Sequence, residues 1–156
     1  MKKFTLIFVF FYFIFNIEGN AKTTRLKGIN EVDLLVETFG NVEECSIEKE
    51  SIVTSVKYIL QNSKIKIKKD DAYVPMLYVA VGVIKSGGVC SADIDIRVQA
   101  FPAKDPLGFS NGGYFVYYRN GSLTSGGTLS EFTKSVDDGI EELVKKLVVK
   151  HHEDNN

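Results

Sequence analysis

The 156-residue chain contains no tryptophan, and only two histidines, two cysteines and three prolines. Both histidines, His151 and His152, fall among the last six residues. With no histidine elsewhere, a Ser-His-Asp or Cys-His catalytic arrangement and a tetrahedral metal site are not expected. Neighbouring helix positions point about 100° apart, so the pair does not form the i, i+4 chelate either, and "HHEDNN" reads as a frayed polar tail. No charge of one sign dominates: 19 Lys and Arg stand against 20 Asp and Glu. Nucleic acid, which selects a basic excess, is therefore not an expected partner. Repeats, low-complexity tracts and cofactor motifs are absent, and no long apolar run follows the first residues.

What is present begins with "MKKFTLIFVFFYFIFNIEGNAK". Lys2 and Lys3 precede an apolar run from Phe4 to Phe15, and Gly19 and Ala21 supply small residues at the −3 and −1 positions of a cut. This is the pattern of a secretory signal peptide over residues 1–21, cleaved after Ala21. A run of about 12 to 14 apolar residues is short for a bilayer span of roughly 20; the alternative is an uncleaved anchor that tethers a structural protein to the membrane. No cysteine closely follows the apolar run, so a lipid anchor is not indicated. Residues 22–156 form one α+β domain with a polar C-terminal tail, and carry 17 basic and 19 acidic residues. That length suits a single core.

Periodicity orders the domain. In "GINEVDLLVETF", Val32, Leu34 and Val36 alternate with polar residues as in a half-buried strand. Ser46 is expected to cap a helix with Ile52, Val56, Ile59 and Leu60 on one stripe, ending at Asn62 and Ser63. "KIKIKK" (Lys64 to Lys69) alternates isoleucine with lysine, as a protected edge strand does. Leu77, Val79, Val81 and Val83 form the inner face of a strand that turns at Ser86, Gly87 and Gly88. The return strand places Cys90, Ala92, Ile94, Ile96 and Val98 inward, with Ser91, Asp93, Asp95, Arg97 and Gln99 on the wet side. Phe101 to Gly113 is a long loop. "YFVYYR" is a strand, Asn120-Gly121 is expected to turn a hairpin, and Thr128 with Glu131 forms a capping box for a last helix along Phe132, Val136, Ile140, Leu143 and Leu147. The expected class is α+β: an antiparallel or mixed sheet of five to six strands, in the order β-α-β-β-β-β-(β)-α, with two helices on one face.

Cys45 and Cys90 should meet in the core under that sheet. In an exported chain they are expected to bridge, closing a loop of about 45 residues; the alternative is two buried thiols.

Four further features bear on function. Gly121 to Thr128, "GSLTSGGT", is one letter from a phosphate-binding loop, with Gly127 where that loop needs lysine, so nucleotide binding is not expected. A weaker anion contact at Gly126, Gly127 and Thr128, where a helix begins, is physically sound. Asp93 and Asp95 lie about 7 Å apart on one strand face, which admits an envelope hydrolase as the alternative function. Phe109, Tyr114, Tyr117 and Tyr118 crowd one loop and strand and form a candidate contact surface for a peptide, glycan or second subunit. Asn120-Gly121-Ser122 also matches the N-glycosylation sequon.

The leader, "EECSIEKESIVTSVKYILQNSKIKI", "LYVAVGVI", "CSADIDIRVQAF" and "GSLTSGG" before an amphipathic helix together resemble a group of small exported bacterial proteins of uncharacterised function. The order of elements is also similar to the small α+β modules of envelope-assembly accessory proteins. The resemblance implies a periplasmic or surface setting and carries no catalytic residue across. The expected function is non-enzymatic binding of an envelope protein or polymer, with no cofactor and no metal.

Overall fold

A computed structural model describes residues 25–69, 74–100 and 115–156, Phe115 by its backbone alone. The leader, the loop from Phe101 to Gly113, and the candidates Phe109 and Tyr114 lie outside the described residues. Helix α1 (Lys49–Gln61) follows strand β1 (Glu31–Gly40), and helix α2 (Leu129–Asn155) follows the consecutive strands β2 (Lys66–Ile67), β3 (Met76–Ser86), β4 (Val89–Ala100) and β5 (Phe115–Ser125). The sheet runs β2-β1-β3-β4-β5. β1 is parallel to both β2 and β3, whereas β3-β4 and β4-β5 are antiparallel. The sheet is therefore mixed, and the α+β order β-α-β-β-β-β-α follows from the periodicities.

Alternation decides which side is buried. Leu77, Val79, Val81 and Val83 of β3 and Cys90, Ala92, Ile94, Ile96 and Val98 of β4 face one core, together with Val32 and Val36 of β1. Ile52, Val56 and Leu60 close it from α1, and Phe132, Val136, Ile140, Leu143, Val144 and Leu147 from α2. Each such aliphatic side chain taken from water contributes about 1.5–3 kcal/mol. β3 and β4 are joined through Ser86 and Val89 by Gly87 (φ 57°) and Gly88 (φ 83°). Two successive positive φ angles make the type I′ turn whose twist matches the strands, and glycine adopts it without strain.

Cys45 and Cys90 are bridged, with Cα atoms 6.1 Å apart. The bond ties the approach to α1 onto the sheet, as expected of two cysteines that meet in one core.

Three local expectations are corrected. Ser46 does not cap α1: it sits at φ 58° in the turn before the helix, and Glu48 occupies the cap position without a side-chain bond. Asn120 and Gly121 do not turn a hairpin. β5 runs straight through them, pairing Asn120 with Ile96 and Gly121 with Asp95. A turn there would have left Ser91 to Asp95 of β4 unpaired on the side away from β3, and that pairing outweighs a local turn preference. Glycine serves instead for close approach, since a Cβ at position 121 would lie 3.0 Å from the Ile94 carbonyl oxygen. The strand bulges once, at Tyr117, between the pairs Val98–Tyr118 and Gln99–Val116.

The third correction is the tail, which is not frayed: α2 continues through His151 and His152 to Asn155. Asp154 Oδ2 accepts the buried Leu26 N–H at 3.1 Å and its Oδ1 accepts Lys150 Nζ at 2.7 Å. Asn155 accepts from Gly28 N–H at 2.8 Å and donates to the Leu26 carbonyl at 3.1 Å. The chain entering the domain thus finds its hydrogen-bond partners in the last turn of the last helix, which extends that helix. Among the described residues no helix is long and apolar enough to cross a membrane.

Candidate functional site

The face of the sheet away from the helices is open, and strand register arranges it in rows. One row runs Leu35, Tyr78, Arg97, Arg119; the next Glu37, Ala80, Asp95, Gly121; the next Phe39, Gly82, Asp93, Leu123. Each row takes one residue from each of β1, β3, β4 and β5, so the surface follows from pairing and could not be read from any one strand.

The first two rows form a locked polar lattice. Asp95 is only 8% exposed. It accepts from Arg97 Nε at 2.9 Å and from Arg97 Nη2, and from Arg119 Nη2 at 2.9 Å. Burial pushes its carboxyl up, but the two arginines outweigh that and hold it below the usual aspartate range. The Arg97 guanidinium lies 5.7 Å from the centre of the Tyr78 ring, a cation–π distance. Tyr78 donates to Glu37 Oε2 at 2.6 Å. That bond, then burial, pushes the phenol up to about 12.

The third row opens into a cleft. Phe39 (49% exposed), Ile84 (68%) and Leu123 (81%) stand around Gly82. A Cβ on Gly82 would meet nothing within 4 Å. The missing side chain is the floor of a shallow cavity of about 630 Å³, with Ser91, Asp93 and Ser125 on its rim. Isolated exposed apolar side chains are ordinary; here three stand around one concavity.

Asp93 and Asp95 therefore share a face, as spacing indicated, but not an environment. Asp93 is exposed beside the cleft, whereas Asp95 is nearly buried between two guanidiniums. A carboxyl held low stays ionised near neutral pH and cannot act as the proton donor of an acid–base pair. Among the described residues no group of His, Cys, Asp and Glu could hold a metal ion.

Tyr117 and Tyr118 are half-buried and pack against the core. They also line a smaller cleft of about 310 Å³ with Arg25, Arg119, Lys150 and Asp154. Asn120 lies in the strand, where its Nδ2 donates to Tyr118 Oη at 3.3 Å, so the sequon asparagine is not at a turn tip.

At the start of α2, after Gly126, the residues Gly127 and Thr128 lie against an anion supplied by the chain itself, the Glu131 carboxylate. Glu131 Oε2 accepts the Thr128 N–H at 2.8 Å, and Thr128 Oγ1 accepts Glu131 N–H at 3.3 Å. The Thr128 amide, then its hydroxyl, hold the Glu131 carboxyl low. A Cβ at Gly127 would lie 2.8 Å from Glu131 Oε2.

Sequence reasoning missed the apolar cleft. Its residues come from four different strands and have no shared motif; the one signal was glycine in mid-strand at position 82, which marks a bulge or a close approach.

No protein-family model matches the chain, and no curated protein matches it. Among solved structures, the chain is similar to a minor lipoprotein from Acinetobacter baumannii, at 10% identity and a TM-score of 0.36, over 78% of this chain and 91% of that one.

Proposed function

We propose that the protein is an exported binding module of the cell envelope, without catalytic activity of its own, and that it binds an apolar side chain of another envelope protein in the cleft over Gly82. Export is supported by the leader and by a disulfide, a bond that persists in oxidising compartments. The cleft with its Phe39, Ile84 and Leu123 walls carries the reading. The lattice of Glu37, Tyr78, Arg97, Asp95 and Arg119 adjoins it on the same sheet face, and a rigid neighbour lowers the ordering cost of binding. Asp93 at the rim offers one acceptor to orient an N–H of the partner.

A photo-reactive residue at position 84, introduced in the native host, is expected to yield a discrete adduct with one envelope protein. The same residue at position 58, an exposed site on α1, is expected to yield none. Phe39→Ala should reduce the adduct at position 84. Equal labelling from both positions, or no response to Phe39→Ala, would overturn the assignment.

A further inference from the structure

The two edges of the sheet are unlike. β2 is two residues long and lies within a run rich in lysine, from Lys64 to Lys69, the ordinary protection of an edge. β5 is eleven residues long and carries one charge, Arg119. Among the described residues its outer side pairs with no strand. The Gly126 N–H bonds the Cys90 carbonyl at 3.1 Å. Alternation along the β4-β5 ladder therefore turns the backbone of Ser125, Leu123, Gly121 and Arg119 outward. The outward Gly121 N–H is held only by the side chain of its neighbour, Asn120 Oδ1, at 2.9 Å.

We propose that β5 is a self-pairing edge: two copies of the chain join β5 to β5, antiparallel, about a two-fold axis through Gly121 normal to the sheet. An axis normal to the sheet keeps both sets of helices on one side and extends one sheet through both copies. Centring on Gly121 lets each outward N–H meet an outward C=O. Gly121 faces itself with no Cβ to crowd the axis, and Arg119 faces Leu123 of the second copy, so no like charges are opposed. Leu123, the most exposed large apolar residue in the described structure, is then covered by the arginine stem.

The register itself favours a second copy over an unrelated strand, because the two-fold axis sets glycine on glycine and each Arg119 beside a leucine along an edge with a single charge. On the neighbouring helix Lys146 and Lys150 are already paired within the chain, to Glu142 and Asp154, so the strand edge alone carries the association. The competing Asn120 bond keeps the association reversible. This inference goes beyond the cleft reading and does not depend on it.

Sedimentation equilibrium of the exported chain over about three decades of concentration is expected to show a monomer–dimer equilibrium. Amide exchange at Gly121 and Leu123 should slow as the dimer fills. Leu123→Pro removes an outward N–H without touching the β4 ladder, and Leu123→Lys sets a second cation against Arg119. Each should weaken association about tenfold or more, and the lysine variant should keep the parent melting temperature at concentrations where both are monomeric. Ile84→Lys, in the same apolar patch but off the edge, should leave association unchanged. A monomer throughout, or a dimer indifferent to both Leu123 variants, would overturn the proposal. So would protection of these amides only on addition of envelope extract, which would assign the edge to a different protein.

Discussion

Replacing both Cys45 and Cys90 by alanine should bring the domain close to unfolding. The bridge spans a sequence separation of 45 residues. A closed loop of that length removes enough entropy from the unfolded chain to stabilise the fold by about 4 kcal/mol at 25 °C. Both sulfurs are buried, so alanine also leaves two small voids, each costing about 1 kcal/mol. The combined loss of about 6 kcal/mol compares with a total stability of about 5–15 kcal/mol for a domain.

Reduction without substitution keeps the sulfur volume and should cost only the loop part, about 4 kcal/mol. Urea unfolding separates the two, followed by far-ultraviolet circular dichroism because the chain has no tryptophan to report by fluorescence. Relative to the oxidised parent, reduction should lower the midpoint and raise the urea dependence, since an uncrosslinked unfolded chain exposes more surface. A loss below about 1 kcal/mol on reduction, with unchanged urea dependence, would refute the loop argument. If the alanine variant lost no more than the reduced parent, the packing part would fail instead.

Asp154→Ala should cost about 2 kcal/mol by thermal melting, because it strands the buried Leu26 N–H; Glu153→Ala, one residue away and exposed, should stay within about 0.5 kcal/mol. Equal melting temperatures for the two would remove the C-terminal clasp from the account. Tyr78, pushed up to about 12 by its bond to Glu37 and by burial, keeps its proton in the folded state after the unfolded chain has lost it near pH 10. Its contribution to stability is whole below that value and is lost as pH rises through the folded pKa. Phenolate absorbance at about pH 11 should therefore show more ionised tyrosine in folded Glu37→Gln than in the parent, and identical titrations would contradict the bond. Gly82→Val should fold with stability within about 0.5 kcal/mol of the parent, since its added atoms enter open space, yet abolish the adduct from position 84. A stability loss above about 2 kcal/mol would show that the cleft floor is not open.

Periodicity marked β1 to β4 and both helices, because burial on one face of a strand or helix recurs at two or 3.6 residues whatever lies opposite. It failed where a local preference met a longer-range competitor. Asn120-Gly121 favours a turn, but the length of β4 offered a partner for a straight strand. The polar end of α2 has no apolar stripe to announce it, and only the arrival of Leu26 and Gly28, 128 and 127 residues away along their hydrogen bonds, gives it a reason to stay helical. Of the candidate site residues, the cysteines were legible from compartment and strand face, and the Asp93, Asp95 and Arg97 array from alternation alone. That Asp95 is shared with Arg119 was not legible, since Arg119 reaches it from another strand.

The sequence by itself determined the α+β class, the buried faces, the glycine turn at Gly87-Gly88, the capping box at Thr128 and the cysteines that would meet. Those features depend on residues within a turn or a strand of one another, or on the sorting of apolar faces. Only the tertiary structure decided that Phe39, Ile84 and Leu123 share a cleft over Gly82, that Asp95 is clamped, and that β5 is left as a long edge with one charge. Each depends on which strands become neighbours and in what register, and a shift of one residue would turn the same side chains to the opposite face.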